Sequence, residues 1–365
     1  MLRRILVGAA APVLAIGLAL VITIVILVVS GSSVSGFLNT IFSAPGERNL
    51  VSIFNNASVL YLSALAAAIG FRMNLFNIGV EGQYRVAVFA AAAFAGQGWL
   101  PGPLNIAVAL VLAVVAGALW AAIAGALKVT QGVHEVISTI MLNAIAVSLT
   151  AYLLRKWGIT VGNNLATNQI PKDSWVPGIP ILPGAPNELL GLAVLAVLAG
   201  VGYSIVLNRS RFGFELRATG ASATAAVASG IDVRRMVITS MVLSGAVAGL
   251  IGLPLLFGAT HSYSTTFQAG LGFTGIAVAL LGRNHPLGIA FGALLFAYLT
   301  EQSSLLEINA GVSNDIVAIT QGVMVLSVVI AYEIVRRYTT AQEQKSVAEK
   351  LESSEQKPAS AEVAG

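Results

Sequence analysis

Long runs of apolar residues without a single charged side chain recur along this chain. The first covers residues 5–29, and comparable runs follow at 50–69 and 104–127. About 20 apolar residues are enough for a helix to cross the hydrocarbon core of a bilayer. Only 10% of the 365 residues are charged, whereas soluble domains carry about 25%. The chain is therefore predicted to be an all-α polytopic membrane protein.

The first apolar run follows a basic start, Arg3-Arg4. A secretory signal peptide has the same kind of start, but its apolar region is only about 7–15 residues long. The run at 5–29 is long enough to cross the bilayer and is interpreted as a retained first span. Cleavage as a signal peptide is the alternative.

About ten transmembrane helices are predicted, with a broken or re-entrant segment after the second. Residues 1–338 form the predicted membrane domain. Residues 339–365 are charged, rich in Ser, Ala and Glu, and lack aromatic residues, so they are predicted to be a disordered cytoplasmic tail. The predicted spans cover residues 5–29, 50–69, 78–95, 104–127, 136–154, 189–207, 236–257, 271–281, 287–304 and 316–335.

Basic residues are distributed unevenly between the two sides of this predicted topology. With the amino terminus in the cytoplasm, 15 of the 20 Lys and Arg residues fall on the cytoplasmic side, four fall outside and Arg85 lies within the third span. Basic residues favour cytoplasmic loops, so both termini are predicted to be cytoplasmic. The outside residues are Arg48, Arg155, Lys156 and Lys172. The inside residues are Arg3, Arg4, Arg72, Lys128, Arg209, Arg211, Arg217, Arg234, Arg235, Arg283, Arg336, Arg337, Lys345, Lys350 and Lys357.

A polar, glycine-broken passage at residues 70–83 separates the second and third apolar runs. Its polar and apolar residues alternate too closely for a solvated turn. Irregular backbone at membrane depth is tolerated only where it is buried in protein or lines a cavity. Residues 84–95 are too short to cross alone, so the third span is predicted to begin near Ile78. This places Glu81 within the membrane, where Arg85 could pair with it on a helix.

Two interpretations of this passage stay open. In one, Gly79 and Gly82 permit close helix packing, while Asn77 and Gln83 satisfy broken backbone groups. In the other, a discontinuous helix lines a transport pathway near the membrane midplane. Structural support near the pathway is favoured over direct contact with cargo. The candidate pathway residues are Asn77, Glu81, Gln83 and, in the fifth span, Asn143.

A second unusual stretch, residues 208–235, is basic at both ends and rich in alanine in the middle. A basic loop that fixes topology or touches anionic lipid would have these end charges. However, no charge lies between Gly220 and Gly230, and a short, smooth helix of this kind suits docking into a groove on a partner. Composition alone does not decide between these two interpretations.

Catalytic patterns are absent from the sequence. No lysine follows a glycine, so a phosphate-binding loop of the Gly-x-x-x-x-Gly-Lys-Ser/Thr type cannot form. There is no cysteine, and the three histidines are scattered, which gives no metal-ligating cluster. The chain is therefore predicted not to be an enzyme and to hold no cofactor or metal. Energy for active transport would come from an ion gradient or from another subunit.

Three stretches resemble permease subunits of bacterial ATP-binding-cassette importers, in the ribose and branched-chain amino acid permease family. They are Asn74-Leu-Phe-Asn-Ile-Gly-Val-Glu-Gly-Gln83, then Gly132-Val-His-Glu-Val-Ile-Ser-Thr-Ile-Met-Leu-Asn143, and residues 217–231 followed by Ser244-Gly-Ala-Val-Ala-Gly249. The second stretch is most similar to nucleoside-type members, which are associated with basic membrane proteins. The resemblance covers about residues 50–335.

The resemblance implies a multi-pass permease of the bacterial cytoplasmic (inner) membrane. Its partners would be two cytoplasmic ATPase subunits that use ATP, a second permease of the same or a sister chain, and an external substrate-binding protein. Residues 217–231 would contain the coupling helix that contacts the ATPases, although Ser222-Ala223 and Val227 stand where the family commonly has Asn-Pro and Arg. The residues that this assigns to coupling are Gly220, Ala225, Ala226, Gly230 and Ile231.

The function predicted on this basis is import of nucleosides or, next, of simple sugars. Membrane lipid is an expected partner and nucleic acid is not. Two alternatives from other classes stay open: a proton-coupled secondary carrier that uses Glu81, and a non-transporting membrane scaffold. The sequence does not identify the exact cargo, because in such systems the external binding protein often sets selectivity.

Overall fold

The structure is a computed structural model that describes residues 17–337, except for 311, 314, 324, 329, 332, 333 and 336. Most of the described chain is α-helical. The first part of the predicted span at 5–29 and the predicted tail at 339–365 lie outside the described residues. The helices are α1 Gly17–Val29, α2 Val34–Ile41, α3 Glu47–Arg72, α4 Val80–Ala95, α5 Gly102–Gln131, α6 Glu135–Trp157, α7 Val194–Arg209, α8 Arg211–Ala221, α9 Ala223–Ala228, α10 Val233–Ala248, α11 Leu253–Leu255, α12 Leu271–Leu281, α13 Pro286–Ala310 and α14 Asp315–Val328.

Within the described residues, six helical segments are long and apolar enough to cross a membrane. The prediction of an all-α membrane protein is confirmed at this level. The helices α1, α12 and α14 are apolar but shorter, and α4 has 16 residues. The six segments are Glu47–Arg72, Gly102–Gln131, Glu135–Trp157, Gly191–Arg209, Val233–Thr260 and Pro286–Ile308.

The chain divides into two compact units. One contains the described residues of the ranges 1–34 and 314–365, and the other contains the described residues of the range 35–313. In the first unit, α1 buries Ala19, Thr23 and Leu27, which are spaced four residues apart and so lie on one helix face.

The core of the larger unit is built around α3. Every residue from 62 to 70 on this helix is buried, and α3 packs against α10, α12 and α13. On another side, α5 packs against α4 and α10. The α5–α10 crossing is very close, because a Cβ atom on Gly245 would lie 2.3 Å from the carbonyl oxygen of Gly117. Small residues at such crossings let membrane helices pack through their backbones.

The predicted loop at 155–188 contains structure that its composition did not indicate. A two-stranded antiparallel hairpin forms from β1 Ile159–Val161 and β2 Asn164–Ala166, with Ile159 opposite Ala166. Two short 3₁₀ turns follow, at Lys172–Ser174 and Gly191–Ala193.

The short helix predicted between Gly220 and Gly230 is present as α9, Ala223–Ala228. Gly220 belongs to α8, and the chain breaks at Ser222 before the six-residue α9 begins. Ser222 has extended backbone angles, and its hydroxyl accepts a hydrogen bond from the Ala225 N–H at 3.3 Å. A serine that caps a new helix in this way ends the preceding one.

Candidate functional site

The polar passage between the second and third predicted spans is a sharp break between α3 and α4, formed by residues 73–79 and called the α3–α4 break below. Asn74 adopts a left-handed conformation with φ of 58°, which ends α3. The N–H of Leu75 then donates back to the carbonyl of Gly70 at 3.0 Å. A left-handed residue with such a backward hydrogen bond satisfies helix carbonyls that would otherwise lack partners.

Asn77 organises the middle of the break. Its Oδ1 accepts hydrogen bonds from the Gly79 N–H at 3.0 Å and from Gln83 Nε2 at 3.0 Å. Its Nδ2 donates to the Ser244 hydroxyl on α10 at 2.8 Å, and that hydroxyl donates to the carbonyl of Ala66 on α3 at 2.6 Å. Asn77, Gln83 and Ser244 are all buried, so one amide connects the break to two neighbouring helices.

Asn143 secures the start of α4 from the side of α6. Its Oδ1 accepts from the Gly82 N–H at 2.8 Å, and its Nδ2 donates to the Ile78 carbonyl at 2.9 Å. Gly82 is in the first turn of α4, where backbone N–H groups have no partner within the helix. A Cβ atom on Gly82 would lie 3.0 Å from the Asn143 Cα. The close packing predicted for this glycine is therefore present.

Glu81 is buried, with 3% of its surface exposed, and both of its carboxylate oxygens are engaged. Oε1 accepts from Arg85 Nε at 2.8 Å and from the Gly270 N–H at 2.9 Å. Oε2 accepts from the Gly272 N–H at 2.9 Å. The predicted Glu81–Arg85 pair is present in the structure, and the carboxylate also caps a helix that lies far away in sequence.

The helix capped by Glu81 is α12, which begins at Leu271. Its 11 residues rise about 16 Å, roughly half of a bilayer core about 30 Å thick. The amino terminus of a helix carries partial positive charge and unpaired N–H groups, and both favour a carboxylate. Arg85 on one side and α12 on the other therefore explain how a buried carboxylate is stabilised here.

All four predicted pathway residues lie in or beside this network, yet none is exposed: Asn77, Glu81, Gln83 and Asn143 are each buried. That these four residues line a transport pathway stays a prediction. The partners Ser244, Gly270 and Gly272 were not among the predicted site residues. Ser244 stands in a stretch that carries the family resemblance, and the paired glycines of α12 are the local signal that could have indicated a close approach.

A second buried carboxylate connects the break to the carboxyl-terminal end of α5. Glu135 accepts from Lys128 Nζ at 2.5 Å and from the Phe76 N–H at 3.4 Å. His134 caps α6, because its Nδ1 accepts a hydrogen bond from the Val136 N–H. The loop between α5 and α6 is thereby tied to the α3–α4 break.

Residues 220–231, called the coupling segment below after their predicted role, differ in exposure. Ala225 and Gly230 are exposed, Gly220 and Ile231 are half-buried, and Ala226 is only 2% exposed. Val227, which was not among the predicted coupling residues, is 61% exposed. Val227 is exposed because it lies on the outer face of the six-residue α9. Predicting this exposure would have required knowledge of the helix break at Ser222.

These features define the class of the protein. Several long apolar helices surround a buried polar network that satisfies a broken helix, as expected for a multi-pass membrane protein.

Residues 49–330 match the family of branched-chain amino acid transport system permease components, and the chain belongs to this family. It is a permease subunit of an ATP-binding-cassette transporter, located in the cytoplasmic membrane. Membership in this family implies ATPase partners and a substrate-binding protein.

Three relatives illustrate the similarity. The guanosine transporter permease NupP of Bacillus subtilis is 38% identical, with 88% of this chain and 93% of NupP covered. The nucleoside transporter permease NupB of Lactococcus lactis is 29% identical, with 88% and 91% covered. The glucose transporter permease TsgB13 of Haloferax volcanii is 32% identical, with 83% and 80% covered.

Proposed function

We propose that this permease imports nucleosides. The observation that carries the proposal is the 38% identity with a guanosine transporter permease, which extends over 88% of this chain. The match includes both the α3–α4 break and the coupling segment within the family region at 49–330. Import of simple sugars is the second candidate, supported by the 32% identity with a glucose transporter permease.

The electrostatics of α12 support an uncharged cargo. In some transporters, the amino terminus of a half-helix near the midplane binds an anionic group of the substrate. Here the Gly270 and Gly272 N–H groups are already bonded to Glu81. A cargo carboxylate would have to compete with a buried carboxylate of the chain itself, whereas a nucleoside or a sugar makes no such demand.

We propose ten membrane crossings with both termini and the tail at 339–365 in the cytoplasm. The uneven distribution of basic residues supports this topology. Support also comes from α4 and α12, which occupy the predicted third and eighth spans. Because each is shorter than a full crossing, both would complete their passage through irregular backbone that is buried in protein.

The proposed complex contains two cytoplasmic ATPases, a second permease of the same or a sister chain, and an external substrate-binding protein. The coupling segment is the proposed ATPase contact. Exposed Ala225 and Val227 on the short α9 support this role, because they form a small apolar surface without charge. Ala226 would act by holding α9 in place, since it is buried.

We propose that Asn77, Glu81, Gln83 and Asn143 hold the broken helix beside the pathway and do not bind cargo directly. Their polar atoms make the hydrogen bonds described above, and Glu81 is paired with Arg85. This arrangement argues against the alternative of a proton-coupled carrier. A carboxylate that carries protons must release its partners in every cycle, and Glu81 would have to break contacts with four groups.

Uptake by the complete transporter tests the proposal. The permease, its ATPases, its second permease and its binding protein would be reconstituted in proteoliposomes, and uptake of radiolabelled guanosine, glucose and leucine would be compared. We expect saturable guanosine uptake that requires ATP and persists when a protonophore dissipates the proton gradient. Uptake that needs the proton gradient instead of ATP would refute the importer proposal, and preferential uptake of glucose would favour the second candidate.

A further inference from the structure

The residues on either side of the α3–α4 break hold α12 at both of its ends. Glu81, in the first turn of α4, bonds the N–H groups of Gly270 and Gly272 at the start of α12. Arg72, the last residue of α3, reaches the other end. Its Nε and Nη2 donate to the Asn284 carbonyl at 3.1 and 2.8 Å, just beyond the last residue of α12.

The two charges match the dipole of the helix between them. A helix carries partial positive charge at its amino terminus and partial negative charge at its carboxyl terminus. Glu81 supplies a negative charge at the first end, and Arg72 supplies a positive charge at the second. Because the two residues flank the α3–α4 break, the ends of α3 and α4 that meet there are connected to α12 electrostatically as well as by packing.

The turn after α12, to which Arg72 donates its hydrogen bonds, has an unusual backbone conformation. Arg283 and Asn284 both have left-handed backbone angles, with φ of 54° and 56°. The Asn284 N–H donates back to the Ala279 carbonyl of α12 at 3.0 Å. The Asn284 carbonyl also accepts from the buried Tyr203 hydroxyl of α7 at 2.8 Å. One carbonyl oxygen therefore joins the carboxyl-terminal ends of α3 and α12 to Tyr203 of α7.

The coupling segment rests directly on this junction. A Cβ atom on Gly220 would lie 2.5 Å from the Arg72 carbonyl oxygen and 2.9 Å from the Met73 Cα. Only glycine permits such an approach of two backbones. Movement of α8 and α9 would therefore press on the residue that holds the turn after α12.

We propose that Arg72 is a positioning residue for transport: it passes movement of the coupling segment to α12, which moves with the α3–α4 break as one rigid body. This inference rests on the proposed role of residues 220–231 in contacting the ATPases. In this proposal Arg72 acts through the Asn284 carbonyl and not by contact with cargo or nucleotide.

The first test measures ATP hydrolysis and guanosine uptake on the same proteoliposomes containing the complete transporter. For Arg72→Met, which removes both N–H donors and the charge, we expect hydrolysis to continue while uptake per ATP falls about tenfold, the size expected from losing hydrogen bonds to a charged group. Arg72→Lys keeps the charge and should restore part of the ratio. Arg209→Met, at the exposed end of α7, is the matched control and should leave the ratio unchanged.

A second measurement examines the rigid body without relying on transport. The chain has no cysteine, so cysteines introduced at exposed Phe76 and Phe273 can carry spin labels on the full-length permease in nanodiscs. We expect one narrow distance distribution in the parent chain, the same with and without ATP when the ATPases are bound, and a broadened one in Arg72→Met.

The outcomes separate the inference from the proposed function. An Arg72→Met transporter with the parent ratio of uptake to hydrolysis, or an unbroadened distance distribution, would overturn the role of Arg72. A Phe76–Phe273 distance that changes with ATP in the parent chain would overturn the rigid body. If the parent transporter shows no ATP-driven uptake, the proposed function fails, and the broadening in Arg72→Met still decides whether Arg72 holds α12.

Discussion

The α3–α4 break and the coupling segment are both glycine-containing interruptions between helices, but their side chains face opposite ways. Asn77 in the break and Glu81 just after it point into the protein, and each bonds groups from other helices. In the coupling segment, Ala225 and Val227 point outward. The polar side chains at the α3–α4 break form hydrogen bonds within the protein, whereas the coupling segment presents a surface that another protein can cover.

Two Arg–Glu pairs show the same contrast in the exposure of their side chains. Both are spaced four residues apart on a helix, with N–O distances of 2.8 Å for Arg85–Glu81 and 2.7 Å for Arg211–Glu215. Their side chains are 16% and 5% exposed in the first pair but 92% and 24% exposed in the second. The same four-residue spacing thus gives a buried ion pair in α4 and an exposed ion pair in α8.

The largest effect is expected where the break meets α12. A Cβ atom on Gly272 would lie 2.3 Å from the Glu81 nitrogen and 2.5 Å from its Cα, so Gly272→Ala must push α12 away from α4. We expect a loss of about 3 kcal/mol or more in stability, at the upper end for overpacked cores. Thermal unfolding in detergent, with the yield of monodisperse protein, measures this loss.

Gly202→Ala in α7 is the matched control for this substitution. A Cβ atom on Gly202 would have nothing within 4 Å, and alanine is the better helix former. An unfolding temperature equal to or above that of the parent chain is expected. Equal stability of the two alanine variants would show that α12 and α4 are not packed through Gly272.

The next largest effect is the loss of stability expected when the buried Arg–Glu pair is broken. Glu81→Gln leaves Arg85 without its buried counter-charge, and breaking a buried pair from one side costs about 3 kcal/mol. Glu215→Gln removes an exposed pair and should change stability by less than about 1 kcal/mol. Thermal unfolding of both variants under one set of conditions gives the comparison. Similar losses in the two variants would contradict the difference in their environments.

The sequence predicted the local parts of this arrangement well. The apolar run at 271–281 coincides with α12, and the four-residue spacing correctly indicated the Glu81–Arg85 pair. Local pattern suffices for these features, because helix length and i,i+4 contacts depend only on neighbouring residues.

The long-range parts could not be predicted in this way. Glu81 and Gly272 are 191 residues apart, and no periodicity reports that one caps the other. Ser222 shows a different difficulty: it fits the interior of an alanine-rich helix or a cap, and only its extended backbone shows which role it has. Burial of Ala226 beside exposed Val227 follows from that break.

A smaller effect is expected at the coupling segment, where a substitution should change binding of the ATPases and not the stability of the permease. Val227→Asp places a charge on the exposed apolar face of α9 and should weaken ATPase binding at least about tenfold, as at the centre of an interface. Stability of the isolated permease should not change, because the side chain is exposed. Asn208→Asp adds the same charge outside the segment and serves as the control. Undiminished ATPase co-purification with Val227→Asp would refute the proposed contact.

The smallest expected effect concerns the pH dependence of stability at His261, which lies outside both the α3–α4 break and the coupling segment. His261 stacks on Trp175 with ring centroids 3.7 Å apart, and its Nδ1 has no hydrogen-bond partner among the described residues. Burial lowers the pKa of His261 below its ordinary value of 6.5.

The unfolded chain therefore binds a proton at His261 more readily than the folded chain, so this residue should reduce stability as the pH falls below about 6.5. His261→Asn keeps a residue that tolerates the left-handed backbone at φ of 52° and removes the titration. Unfolding temperatures measured between about pH 7 and pH 5 should then fall less steeply than in the parent chain. A slope unaltered by His261→Asn would place the titrating group elsewhere.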